Sequence, residues 1–203
     1  MEKAISNQTP DKDLIKGFLA GHDQCFDELL NRYKTKVFTT IYLIVKDRSV
    51  AEDLFQDVMI KVVRMIRAGK YNEEGKFLPW VIRIARNLAI DYFRKAQRNP
   101  VQRESEDYDI FNVVQRTEES SEDQIISQEN ARYIRKLIQQ LPEKQREVLI
   151  MRNYAELSFK EIAAITDVSI NTALGRMRYA LLNLKKLARE TGTLEGYEET
   201  VHR

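Results

Sequence analysis

The chain has 203 residues, with 33 Lys and Arg against 31 Asp and Glu for a net charge of +2. One cysteine, Cys25, excludes an internal disulfide and any cysteine-cluster zinc site, and only His22 and His202 could supply imidazole. Seven Gly and four Pro are few, and no strand-like alternation runs far, so the expectation is an all-helical protein of one large or two small domains.

Residues 11–20 read as a short helix stopped near Gly21. A longer one follows, with Phe26, Leu29, Leu30, Tyr33, Val37, Ile41 and Ile44 on one face and Cys25 as a small core residue. Ser49 and Glu52 stand at capping-box spacing and open a helix running to about Ala68. Its early acids and late bases, Lys61, Arg64 and Arg67, suit the helix dipole, and a second reading of the exposed acidic start is a partner-binding patch. A polar loop over 68–76 holds Gly69, Gly75, Tyr71 and Asn72. From Phe77 the chain is helical again, with Arg83, Arg86, Asn87, Arg94 and Arg98 along one side. Phe77, Trp80, Tyr92 and Phe93 interleave with them. Cations beside aromatics can track a single strand; the same residues also read as core rings behind a solvated basic face.

Asn99-Pro100 ends that helix. Residues 101–130 carry nine acids against Arg103 and Arg116, a local charge of −7 that leaves +9 on the rest of the chain. This segment reads as an acidic, flexible linker whose apolar cluster is Ile110-Phe111 with Val113-Val114. Helical periodicity returns near Gln124, and Pro142 suits the first turn of a helix that buries Val148, Leu149 and Met151. Ser158 and Glu161 form a second capping box, Thr166-Asp167-Val168 breaks the period, and Ser169 can cap a further helix with Ala173, Met177, Ala180 and Leu184 inward. Two short helices joined by a tight turn are a helix-turn-helix, or a plain helical hairpin with a solvated face. Ser169, Asn171, Thr172, Arg176, Arg178 and Tyr179 lie at its recognition end, and these side chains suit base edges and phosphates. The boundaries expected are a first domain over 1–98, a linker over 99–123, a second domain over 124–190 and a short tail over 191–203.

No Gly-rich phosphate loop, metal-ligand spacing or catalytic constellation is present, so neither enzymatic activity nor a cofactor or metal is expected. Residues 1–10 lack the apolar core of a signal peptide, and no apolar run could span a bilayer, so a cytoplasmic protein without membrane insertion is expected.

Three stretches in register, AEDLFQDV at 51–58, FLPWVIRIARNLAIDYFR at 77–94 and LPEKQREVL at 141–149, together with the helix-turn-helix, resemble a bacterial RNA polymerase sigma factor of the extracytoplasmic-function (ECF) group. The resemblance covers nearly the whole chain. It implies a transcription initiation factor that binds core RNA polymerase, recognises promoter −35 and −10 elements and helps melt the latter. By matched position, Asp53, Gln56, Asp57 and Lys61 would dock on the clamp helices of the largest subunits of core polymerase, β and β′. Tyr71, Asn72, Lys76, Arg83, Arg86, Asn87 and Arg94 would capture and melt −10 DNA. The linker would thread toward the active-site cleft, and the second domain would read −35 DNA and touch the β flap. The family pattern is departed from at Leu174, Gly175 and Tyr179, where basic or polar residues are common. Many members are held by an anti-sigma factor. The alternative is a helix-turn-helix regulator with residues 1–100 as a dimerisation or effector domain; a nucleic-acid enzyme ranks third.

Overall fold

A computed structural model describes residues 9–72, 75–98 and 133–191. These residues form two compact units, the first from residues 9–98 and the second from 133–191. Eight helices and no strand occur among the described residues. The acidic linker, the helical start near Gln124 and most of the expected tail lie outside them.

The first unit is built around α2. Helix α1 (Asp11–Leu19) ends in a reversal at Gly21, whose φ of +96° suits a residue without Cβ. Helix α2 (Asp23–Val45) then receives α1, α3 (Arg48–Arg67) and α4 (Phe77–Arg98) on its sides. The predicted stripe of α2 holds at Leu29, Val37 and Ile41, all fully buried. Beyond Val37 the burial goes all the way round and takes in Thr39, Thr40, Tyr42 and Leu43. Thr40 tolerates this because its hydroxyl donates to the Lys36 carbonyl at 2.7 Å. Cys25 is buried, and a methyl group added to Gly17 would collide with its Sγ, so α1 and α2 approach closely there.

The start of α3 corrects the sequence reading. Lys46 closes α2 in the left-handed region, and Asp47 is the N-cap, its carboxylate accepting from Val50 N at 2.9 Å. The helix thus begins at Arg48, and Ser49 lies inside its first turn. Glu52 reaches back to pair with Arg48 at 2.8 Å instead of closing a capping box. Asp47 wins because it occupies the extended backbone position from which a side chain can reach the third following amide. The first turn carries no acid, so the dipole argument survives only at the basic C-terminal end.

In the second unit, α5 (residues 133–140) leads into α6 (Glu143–Asn153), α7 (Phe159–Thr166) and α8 (Ile170–Glu190). Pro142 takes the N-cap position with extended ψ of 139°, one residue before the predicted first turn. Residues 147–151 of α6 are all buried, which extends the predicted Val148, Leu149 and Met151 to Glu147 and Ile150. Arg146 turns its half-buried guanidinium onto the end of α5, donating to the Gln139 carbonyl at 3.2 Å; burial lowers its pKa. Arg152 donates to the Leu157 carbonyl at 3.0 Å and places its guanidinium over the Phe159 ring, 5.4 Å from the ring centre, which ties down the approach to α7.

Candidate nucleic-acid interface

Helices α7 and α8 form the predicted helix-turn-helix. Ser158 Oγ accepts from Glu161 N at 3.3 Å while the Glu161 carboxylate accepts from Ser158 N at 2.8 Å, so both halves of the capping box are present. Asp167 ends α7 at φ 55° and ψ 52°, and Val168 N returns to the Ala163 carbonyl at 3.0 Å. Ser169 then caps α8, accepting from Thr172 N at 3.0 Å, and the two hydroxyls lie 2.9 Å apart. Ser169 and Thr172 therefore set the angle at which α8 leaves the turn.

On α8, Ala173 and Ala180 are fully buried, with Met177 and Leu184 half-buried beside them. Asn171 and Arg178 are exposed on the opposite side, seven residues apart and so nearly in line. Gly175 falls between them, and a Cβ built there meets no atom within 4 Å. Tyr179 is 62% exposed, whereas Arg176 is half-buried on the flank. Leu174, Leu181 and Leu182 are exposed as well, which helical periodicity alone did not mark as solvent-facing.

In the first unit, α4 places Arg83, Asn87 and Arg94 on one exposed stripe with Arg86 half-buried at its side. Arg94 pairs with Asp91 at 3.5 Å. Phe77 is buried, Trp80 half-buried and Phe93 exposed, so the aromatics divide between core and surface. The Tyr71 ring, half-buried, sits 4.5 Å from the Trp80 ring and 5.8 Å, edge-on, from Phe77. Asn72 and Lys76, the described polar residues on either side of the loop tip, are exposed.

On α3, Asp53, Gln56, Asp57 and Lys61 are all exposed. Ile60, which the sequence reading passed over, is 49% exposed in the same stripe. Its spacing of seven from Asp53 was the available signal. An open groove of about 520 Å³ runs between α3 and α4 and brings Asp53 and Asp57 to the same hollow as Asp91, Tyr92 and Arg94. Asp53 and Asp57 on α3 thus share one groove with the Arg94 end of the basic stripe of α4. Among the described residues, no group of three or more His, Cys, Asp or Glu is placed to hold a metal ion, and no helix is long and apolar enough to cross a membrane.

Comparison with known proteins fits this layout. Residues 29–99 match the family model for sigma-70 region 2, and residues 131–184 match that for sigma-70 region 4. The chain is 29% identical to the RNA polymerase sigma-H factor of Pseudomonas aeruginosa over 174 residues, covering 84% of this chain and 89% of that one. It is 27% identical to the ECF RNA polymerase sigma factor SigW of Bacillus subtilis over 183 residues, covering 88% and 97%. The solved structure of the sigma factor RpoE from Bartonella quintana, in complex with the anti-sigma factor NepR, superposes with a TM-score of 0.64 at 22% identity, covering 81% of this chain and 96% of that one. The region 2 match over the first unit leaves the regulator alternative unsupported. With both sigma regions in order on two helical units, the chain belongs to the ECF group of RNA polymerase sigma factors and acts with RNA polymerase in promoter-specific initiation of transcription.

Proposed function

We propose that the work divides by residue as follows. Residues 1–98 bind core polymerase and the −10 element, 99–123 link, and 124–190 read the −35 element. Asp53, Gln56, Asp57 and Lys61, with Ile60 as an apolar anchor, meet the polymerase clamp. Arg83, Arg86, Arg94 and Lys76 hold the −10 strand through phosphate charge, and Asn87 adds a hydrogen-bonding amide beside them. Asn171, Thr172, Arg176, Arg178, Tyr179 and Ser169 face −35 duplex. The factor works in the cytoplasm, carries no catalysis of its own, and is open to restraint by an anti-sigma factor.

The finer reading is that loop 68–76 captures a base extruded from the −10 duplex. Extrusion costs a few kcal/mol of lost pairing and stacking, which a pocket offsets with ring contact and edge hydrogen bonds. The observation that carries it is the Tyr71 ring set 4.5 Å from Trp80 beside exposed Asn72, whose amide both donates and accepts. Replacing Tyr71 and Asn72 together by Ala in the full chain should slow open-complex formation by holoenzyme while sparing −35 duplex affinity. Normal promoter opening by the double variant would reduce the loop to a connector.

A further inference from the structure

The region 2 match begins at residue 29 and so leaves α1 out. Three apolar residues, Leu14, Ile15 and Phe18, seat α1 on its neighbours. Its polar contacts lead elsewhere. The Asp11 carboxylate takes Arg32 Nη1 at 2.7 Å on one oxygen and the Tyr33 hydroxyl at 2.6 Å on the other. This cluster is largely sheltered, with the Asp11 and Arg32 side chains 18% and 21% exposed. The Tyr33 ring then stands 5.6 Å from Phe77, the first residue of α4, and Phe77 is 6.0 Å from Trp80. From α1, two side-chain contacts therefore reach the aromatic group against which Tyr71 rests.

The other end of the loop is reached as well. Arg67, the last residue of α3, places its guanidinium 5.1 Å from the centre of the Phe18 ring and 3.8 Å from the Asp23 carboxylate. Both of those charged side chains are well exposed, so this arm is the weaker one. The two helix ends that flank Tyr71 and Asn72, Arg67 and Phe77, are thus both tied to α1.

We infer that α1 braces the described part of the loop at Tyr71 and Asn72, with Asp11 as a positioning residue that acts on them through Tyr33 and Phe77. The inference rests on the base-capture reading of that loop. A carboxylate fixed by two charge-assisted hydrogen bonds holds the Tyr33 ring in one place, so the surface against which Tyr71 packs cannot shift. Geometry of this kind matters because a displacement of about 1 Å at a reacting or capturing group can cost up to about 100-fold in rate.

Trp80 is the only tryptophan in the chain, so its fluorescence reads the state of the loop support directly. The test uses the full chain carrying Asp11→Asn, or Tyr33→Phe as the milder variant that keeps both the ring and the Asp11–Arg32 pair. Asp13→Asn makes the same charge change on an exposed position of the same helix and is the control. Acrylamide quenching of Trp80 is measured on the protein alone, and open-complex formation is measured with holoenzyme. Asp11→Asn and Tyr33→Phe should make Trp80 more quenchable and slow opening by about tenfold, with affinity for core enzyme unchanged; Asp13→Asn should do neither. In the Tyr71→Ala/Asn72→Ala background, Asp11→Asn should slow opening no further, because the loop it positions has already lost its capturing groups. Unchanged quenching, or an equal slowing in both backgrounds, overturns the brace. Increased quenching with normal opening keeps the brace and removes the base-capture reading instead.

Discussion

Asn171 and Arg178 offer the sharpest test of how α8 meets duplex. Seven residues at a rise of about 1.5 Å separate them by about 10.5 Å along the axis. At about 3.4 Å per step that is two to three base pairs, depending on the tilt of α8 in the groove. If Asn171 pairs with an adenine edge and Arg178 with a guanine edge, each alanine substitution should cost about 1–3 kcal/mol, or roughly 5- to 150-fold in affinity. The two losses should add, since the side chains are too far apart to share a partner. The assay is anisotropy titration of −35 duplexes in which every base pair is replaced in turn, at about 50 and 200 mM salt. Each variant should become indifferent at one base pair, and the two positions should lie two to three steps apart. A uniform loss across all sequences, with a salt slope smaller by about one, would assign the residue to phosphate. Loss of discrimination by both variants at the same base pair would refute the alignment derived from the helix.

Other consequences can be measured with the same reagents. Gly175→Ala should raise the thermal midpoint of the second unit, because Ala is favoured over Gly in a helix interior by about 1 kcal/mol and the site has room for a Cβ. The same change should weaken −35 binding if duplex packs against the α8 backbone there; tighter binding would rule that approach out. Reversing Asp53 and Gln56 to Lys should weaken the complex with core polymerase by about 2 kcal/mol with folding intact. Ile60→Ala should cost about 1 kcal/mol of core affinity, half of what full burial of such a side chain is worth, as about half of it remains to be covered. An unchanged dissociation constant for both would move the polymerase contact off this face. Burial, and then the Asp11 hydrogen bond, push the Tyr33 phenol from its ordinary 10.0 up to about 12. Its contribution to stability is therefore fully present below pH 10 and is lost as pH rises toward 12. Alkaline unfolding should be less steep over that window in Tyr33→Phe than in wild type, and identical slopes would contradict the buried hydrogen bond.

Much of this was legible because the signals are local. Ser158 with Glu161, Asp167 and Ser169 each act on backbone within a few residues, so the helix-turn-helix could be read with its caps. The start of α3 shows the limit of such reading. Asp47 and Ser49 are both good caps, and the choice between them depends on where α2 releases the chain at Lys46. The all-round burial of α2 was hidden for a related reason. Periodicity reports one face against one partner, whereas three helices cover α2. Likewise, Thr39 and Thr40 read as polar until their neighbours are placed. At the candidate site, Tyr71 could be named from its loop, but its contact with Trp80 joins an irregular segment to a helix start and needed the fold. The Asp11–Tyr33 bond spans 22 positions and has no periodic signature at all.

The way α1, α3 and α4 gather on α2 also bears on how the molecule is made. All four helices are consecutive in the chain, so the first unit closes only short loops and belongs to the fast-folding class of helical bundles. At about 5–20 residues per second, a ribosome needs roughly 5–20 s more to extend the chain from residue 98 to residue 191. For the part of that interval after α4 leaves the exit tunnel, the nascent protein carries a first unit free to fold and no recognition helix. Under the proposed division of labour, a polymerase that met it then would receive the strand-opening surface before the part that selects where to use it.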